Sequence, residues 1–489
     1  MLERRDFIQA VLGGTVLPVS RSQLAGRDRL ASPRHGQAPP LPGVFDVTAF
    51  GAKGDGVADD TTPIQEAVDA AVDAGGGIVF VPPVNQAKGR LYRTTKRLSL
   101  KSNVRLMGAG PGSFIKNVTP ISSVDAICVG IGTYGGADSG GAPLSPIVRE
   151  AWHQIERLDA GADTLRLSRA SDVAAFKSGD VVIVRDGREE EVTGHFVPLY
   201  AEINEVEHVD ANAGVIGLSY PAQLSYVSGQ QVIAKLPPKD FARDCSISLL
   251  QLANSNPHVQ QVNPGGSWGL AISDCWITGK GHPITGSVNR DLLVQRVRIQ
   301  GHAGNALDIG FLSHGITVRD LWVARTVNVD PRQAPFQLRL EERAYNFLLD
   351  NVTVFTGSDR PVTQEVGAIT VDLGAHRGRI INCSVNCDGR SSIIGVNVGG
   401  ARVREITVLG CTVRDALHGI RVAATDCIVQ DNVVADNQRA GRAILVASEA
   451  VRCRVSRNTV LRTTGKLEPA VDGVDNRGVD TRIDAKETW

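Results

Sequence analysis

An all-β fold, a single-stranded right-handed parallel β-helix, is predicted by three observations: a short internal repeat, apolar slots that alternate at period two, and corner residues suited to left-handed backbone. Between Leu270 and Val460 one pattern occurs eight times: an apolar residue, another two later, a polar pair, then two more core residues two apart. It reads Leu270/Ile272/Cys275/Ile277, Leu292/Val294/Val297/Ile299, Ile316/Val318/Leu321/Val323 and Phe347/Leu349/Val352/Val354. It continues as Ile380/Cys383/Val385, with Gly378 breaking the first slot, then Ile406/Val408/Cys411/Val413, Cys427/Val429/Asn432/Val434 and Cys453/Val455/Asn458/Val460.

The intervals from Cys275 to Asn458 are 22, 24, 31, 31, 28, 21 and 26 residues. They are too short for strand-helix-strand crossovers, and period-two slots exclude helical hairpins. The polar pairs end on Asp274, Arg296, Asp320, Asn351, Asn382, Gly410, Asp431 and Arg457. Asp, Asn and Gly tolerate the left-handed region that a tight corner between strands requires. Parallel crossovers turn right-handed, which sets the expected hand.

The bulk composition agrees. In 489 residues, 42% are apolar but only 5% aromatic, as suits an interior of stacked aliphatic side chains. Lys plus Arg equals Asp plus Glu at 52 each, so no net basic charge argues for nucleic acid or an anionic membrane surface. No apolar run is long enough for a membrane span, which needs about 18 residues.

Segment 1–25 carries Arg4-Arg5 before the apolar stretch Phe7 to Leu17, a pattern that resembles a bacterial twin-arginine export signal, with Glu3 in place of the usual Ser or Thr. Export to the periplasm or outside a bacterial cell is therefore expected. Residues 26–43, with Pro33, Pro39, Pro40 and Pro42, read as a linker. Of the eight cysteines, Cys275, Cys383 and Cys411 share one interior slot and Cys427 and Cys453 another. Stacked buried thiols are expected rather than disulfides, and no spacing suits zinc.

Residues 44–139 form the cap and first coils. Thr62 is placed to cap a helix with Pro63 in its first position and Gln65 completing a capping box; the helix should run to Ala74 and end at Gly75-Gly76-Gly77. Ile78 to Val81 then reads as a buried strand. The stretch Phe50-Gly51-Ala52-Lys53-Gly54-Asp55-Gly56, followed by Asp59-Asp60-Thr61, Ile64-Gln65 and Gly76-Gly77-Ile78-Val79-Phe80-Val81-Pro82, resembles the N-terminal module of the pectate-lyase-like superfamily, the rhamnogalacturonase or epimerase-like group. The resemblance implies a β-helix whose open end is plugged by this helix, and it is silent on the reaction. The aspartates here read as turn and cap formers.

Residues 140–238 contain four strand-like segments, 163–167, 179–184, 202–206 and 214–218, and read as a small antiparallel β insert that either caps the solenoid or overhangs its groove. The main coils occupy 239–465, and 466–489 reads as a polar tail. Asp472, Asp475 and Asp480 lack calcium-loop spacing, so calcium is unsupported and no cofactor or metal is expected.

Each coil needs a third strand before its first apolar slot. Their outward positions form a row: Thr285, Asp308, Arg339, Asp372, Asn397, Arg421 and Leu445. Aligning Asn305 to Gly310 with Ile369 to Gly374 puts Asp308 and Asp372 two rungs, about 9.6 Å, apart, with Arg339 between. Paired carboxylates suit acid/base cleavage of a glycosidic bond, and an arginine suits a sugar carboxylate. The expected catalytic residues are Asp308, Asp372 and Arg339. Thr285, His302, His314, Arg332, Glu341, His376, Asn397 and Arg421 are expected to bind substrate. An exposed Asp–Arg–Asp salt-bridge ladder would give the same row.

Asp330-Pro331-Arg332 lacks the rest of the mannuronan-epimerase Asp-Pro-His-Asp motif, and the polygalacturonase motifs are absent. The expected function is thus an exported polysaccharide lyase or glycoside hydrolase on an extended, uronic-acid-containing polymer. The alternative is a non-catalytic polysaccharide-binding or adhesion β-helix. Neither a nucleic acid nor a membrane is an expected partner.

Overall fold

The structure, a computed structural model, describes residues 43–120, 127–131, 152–192, 195–236, 241–256, 260–324, 337–357, 365–390, 392–436, 438 and 441–461, with short stretches at 470–471, 477–479 and 482–484. The expected export signal and almost all of the linker lie outside the described residues, as does Arg332.

The repeat becomes three parallel ladders, each in register because a slip by one residue would turn every apolar side chain outward. One ladder stacks Ile272, Val294, Val318, Leu349, Ile380, Val408, Val429 and Val455. A second stacks Ile277, Ile299, Val323, Val354, Val385, Val413, Val434 and Val460. The third, which positions the site, stacks Ile284, Leu307, Leu338, Ile369, Val396, Ile420 and Ile444. These residues are buried and belong to one continuous core.

All eight corner residues have positive φ, from 51° at Arg296 and Asp320 to 65° at Gly410. At Arg296 and Arg457 the bulk is tolerated while the guanidinium forms a paired bond to the corner aspartate one rung earlier, Asp274 and Asp431 respectively. Gly378 follows from packing: it pairs with Phe347 on the preceding rung, and a Cβ there would lie against the Phe347 ring. Asn432 and Asn458 fill the slot held by cysteines elsewhere. Their amides donate to Val408 O and Val429 O, so neither buried side chain is left unpaired. All eight cysteines are free and buried.

At the N-terminal end the helix spans Thr61–Asp73, two residues earlier than expected. Asp60, not Thr62, is the N-cap, and its carboxylate accepts from Lys53 N and Gly54 N, bracing the glycine-rich loop rather than the helix end. Gln65 makes no capping box; it bonds Asp69 and the Ser99 backbone. Ile64, Ala67, Val68 and Ala71 pack into the core of the first coils and close the end of the solenoid.

The insert interrupts the solenoid without displacing its register. Val104–Met107 pairs directly with Ser246–Ser248, so the chain leaves and rejoins on adjacent rungs. Its sheet has six antiparallel strands, including Val181–Arg185, Ala201–Asp210, Val215–Leu218 and Val232–Lys235. The segment expected as a polar tail instead supplies Ala470–Val471, Arg477–Val479 and Arg482–Asp484, which pair in parallel with the last coil. Backbone hydrogen bonding extends a ladder whatever the polarity of its side chains.

Candidate active site

The third ladder aligns one column of Thr285, Asp308, Arg339, Thr370, Asn397, Arg421 and Leu445, in which Thr370 is fully buried. Thr370, not Asp372, therefore faces Arg339, and the expected row is corrected by two residues. Asp372 lies just past the strand Val366–Val371, and Leu373 and Gly374 turn away with φ of 48° and 84°. A slip of two keeps the alternation of apolar and polar positions, which is why the sequence alignment accepted it.

In this register a second column forms beside the first. Extending the pairing by one residue past Ile309–Leu340–Val371–Val398 gives it as Gly310, Glu341, Asp372 and Gly399. Glu341 and Asp372 are thus on adjacent rungs, about 4.8 Å apart at the backbone, with a glycine on either side. A Cβ on Gly310 would press on Glu341 Cγ at 3.0 Å, and one on Gly399 would sit 3.1 Å from an Arg421 nitrogen. The glycines let Glu341 and Arg421 pack closely against the neighbouring backbone.

Arg339 joins the columns. Its Nε lies 3.2 Å from both Asp372 oxygens and its Nη2 donates to Oδ2 at 2.9 Å. Its Nη1 lies 2.6 Å from Glu341 Oε2. Side-chain exposures of 13% for Glu341, 16% for Asp372 and 18% for Arg339 place the cluster in a recess, reachable yet poorly hydrated. Asp308, one rung before Arg339, accepts from the Asn305 amide on Oδ2, whereas its buried Oδ1 has no hydrogen-bond partner among the described residues.

Three carboxyls share one guanidinium, so ionising all of them would leave uncompensated negative charge in a poorly solvated place. Burial and the nearby Asp308 charge push Glu341 well above the usual carboxylate range, against the pull of Arg339. Burial raises Asp372 as well, although Arg339 opposes it. Burial alone would lower the Arg339 guanidinium, but Glu341 and Asp372 outweigh it and hold it raised. The cluster therefore favours a permanent cation on Arg339 and a protonated Glu341. Among the described residues no group of three or more His, Cys, Asp or Glu is arranged to hold a metal.

The remaining expected residues divide. Thr285 sits half-buried one rung before Asp308, its Oγ1 without a partner among the described residues. Asn397 and Arg421 are rung neighbours, Arg421 Nη1 donating to Asn397 Oδ1 at 3.2 Å. The histidines are not on the groove. His302 is fully buried with Nδ1 2.7 Å from Gly304 O.

His314 and His376 sandwich Tyr345 in a buried stack, with centroids 5.0 and 5.2 Å apart and planes within 14°. The stack lies at the corner after the groove strands, under the insert, where Ile203 N donates to His314 Nε2 at 3.1 Å. An apolar contact surface, not a substrate, uses these rings, and sequence proximity to Asp308 and Asp372 misplaced them.

Residues 44–132 match the family described as rhamnogalacturonase A/epimerase, pectate lyase-like. A mannuronan C5-epimerase of Azotobacter vinelandii, AlgE2, is 46% identical over 72 residues, which is 14% of this chain and 7% of the epimerase. An alginate lyase of the same organism, alginate lyase 7, is 46% identical over 72 residues, 14% of this chain and 8% of the lyase. The chain thus spans under a tenth of the length of these two relatives. Over the whole solenoid the tailspike gp49 of Pseudomonas phage LKA1 superposes with a TM-score of 0.54 at 14% identity, covering 90% of this chain and 78% of the tailspike. The capping module, residues 44–132, thus resembles the pectate-lyase-like family, and the coil ladders carried through residue 484 make the chain a parallel β-helix.

Proposed function

We propose that the chain is a carbohydrate-active enzyme that cleaves glycosidic bonds of an extended acidic polysaccharide lying along the two columns of the third ladder. One observation carries the reading: Glu341 favours its protonated form beside Asp308, whose Oδ1 has no partner among the described residues. A carboxyl held protonated beside a second carboxyl supplies the acid of glycoside hydrolysis and leaves the second to act as base. Glu341 gives its proton to the leaving oxygen, and Asp308 activates a water on the other side of the sugar. Their Cα atoms lie diagonally across one rung step, roughly 8 Å apart from strand spacing and rise, which leaves room for that water.

Asp372 keeps Arg339 in place, and Arg339 offsets the charge that builds on the carboxyls. Arg421, whose described partner is the neutral Asn397, is the cation available to a sugar carboxylate. The names of the relatives, mannuronan epimerase and alginate lyase, support an acidic polymer. The family match ends at residue 132, before the cluster, so the reaction is read from the cluster itself.

The test is a screen of purified protein on acidic and neutral polysaccharides, followed by reducing ends and by ultraviolet absorbance of unsaturated ends. Reducing ends without new absorbance are expected, with turnover falling about a hundredfold in Glu341→Gln and in Asp308→Asn. New absorbance would replace hydrolysis by elimination. Full activity in both variants would remove the cluster from the chemistry, and cleavage of no polymer would favour the binding role.

A further inference from the structure

The second ladder has its own outward face, which the groove does not use. Pairing of Trp276 with Arg298, Arg298 with Trp322 and Trp322 with Thr353 sets two indoles two rungs apart with a guanidinium between them. The Arg298 guanidinium lies over the Trp322 ring, 5.0 Å from its centroid, and Phe355 packs against the same indole at 5.9 Å. The strip is open: Arg298 is exposed, Phe355 is 37% exposed, and both indoles are half-buried.

Its charge is the reverse of the groove's. Over eight rungs, from Phe114 and Lys116 to Thr412 and Arg414, the outward positions hold Lys116, Arg298 and Arg414 and no Asp or Glu. Arg414 leans toward the corner residue Asp436 at 3.9 Å, but no carboxylate pairs with Arg298 among the described residues.

We propose that this face is a second, non-catalytic binding platform for an anionic polysaccharide, with Trp276 and Trp322 stacking on sugar rings and Arg298 taking a carboxylate between them. Flat apolar rings fit the faces of sugar rings, which carry C–H groups, and a cation already held against an indole stays accessible to an anion. Two rungs span about 9.6 Å, comparable with the advance of a disaccharide along an extended chain. The platform does not depend on the reaction assigned to the groove.

The test is affinity electrophoresis of the Glu341→Gln protein through gels containing polygalacturonate or neutral galactan. Polygalacturonate should retard it, less at higher salt, and galactan should not. Trp276→Ala/Trp322→Ala should raise the dissociation constant about tenfold, and Arg298→Gln should weaken retardation with little structural cost. Unchanged retardation in Arg298→Gln and in a double variant with parental thermal midpoint would overturn the platform. Retardation lost in Arg421→Gln but kept in the platform variants would also overturn it, by assigning binding to the groove.

Discussion

Acid should loosen the junction between insert and solenoid through His376. Burial, with the Arg404, Arg377 and Arg343 charges around it, pulls this imidazole down to about 3, from 6.5 for an ordinary histidine. The unfolded chain therefore binds the proton first. Stability from the neutral ring is fully present above about pH 6.5 and is lost as pH falls toward 3, at about 1.4 kcal/mol per unit. Between pH 6.5 and 5 the loss from His376 alone is about 2 kcal/mol.

His314 acts in the same direction, because burial and the Arg290 charge lower it and because its Nε2 must keep a lone pair for Ile203 N. His376→Phe retains a ring on Tyr345 but cannot titrate, so carboxylate contributions cancel when it is compared with the parent. Denaturant unfolding at pH 7 and pH 5, followed by intrinsic fluorescence, should show the parent losing about 2 kcal/mol more than His376→Phe over that range. Equal losses in the two proteins would refute the buried neutral stack as the source of acid sensitivity.

Two further outcomes test the coil interior and the N-terminus. Val318, fully buried between Val294 and Leu349, should not accept a charge: Val318→Asp should destabilise by several kcal/mol, read as a lowered thermal midpoint, and an unchanged midpoint would contradict its interior position. Arg4→Lys/Arg5→Lys should leave uncleaved precursor inside the cell if the paired arginines direct export, and normal secretion of that variant would dismiss the twin-arginine reading.

The coil was legible because its physics is local and repeated. Six of the eight corners from Asp274 to Arg457 announce themselves by residue type, Arg296 and Arg457 only by position, and all eight have positive φ. Even the exception was informative: Gly378 is empty because Phe347 on the preceding rung fills its space, a compensation visible only once the rungs are paired. The site was less legible because function there depends on which residues meet across rungs, and alternation at period two cannot distinguish Asp372 from Thr370 as the neighbour of Arg339.

The turn residues carried the missing signal, since Leu373 and Gly374 both adopt left-handed backbone and end the strand at Val371. That shift turns a simple Asp–Arg–Asp row into two columns, with Glu341 drawn beside Asp372 and glycines flanking both. It also separates chemistry from packing. His314 contacts the insert and His376 completes the stack on Tyr345, whereas a glutamate expected only to touch substrate carries the raised carboxyl. A residue's neighbours along the chain say little about its role in a solenoid. The residue one rung away sets whether its charge is shared, opposed or buried, and at Glu341 all three effects converge.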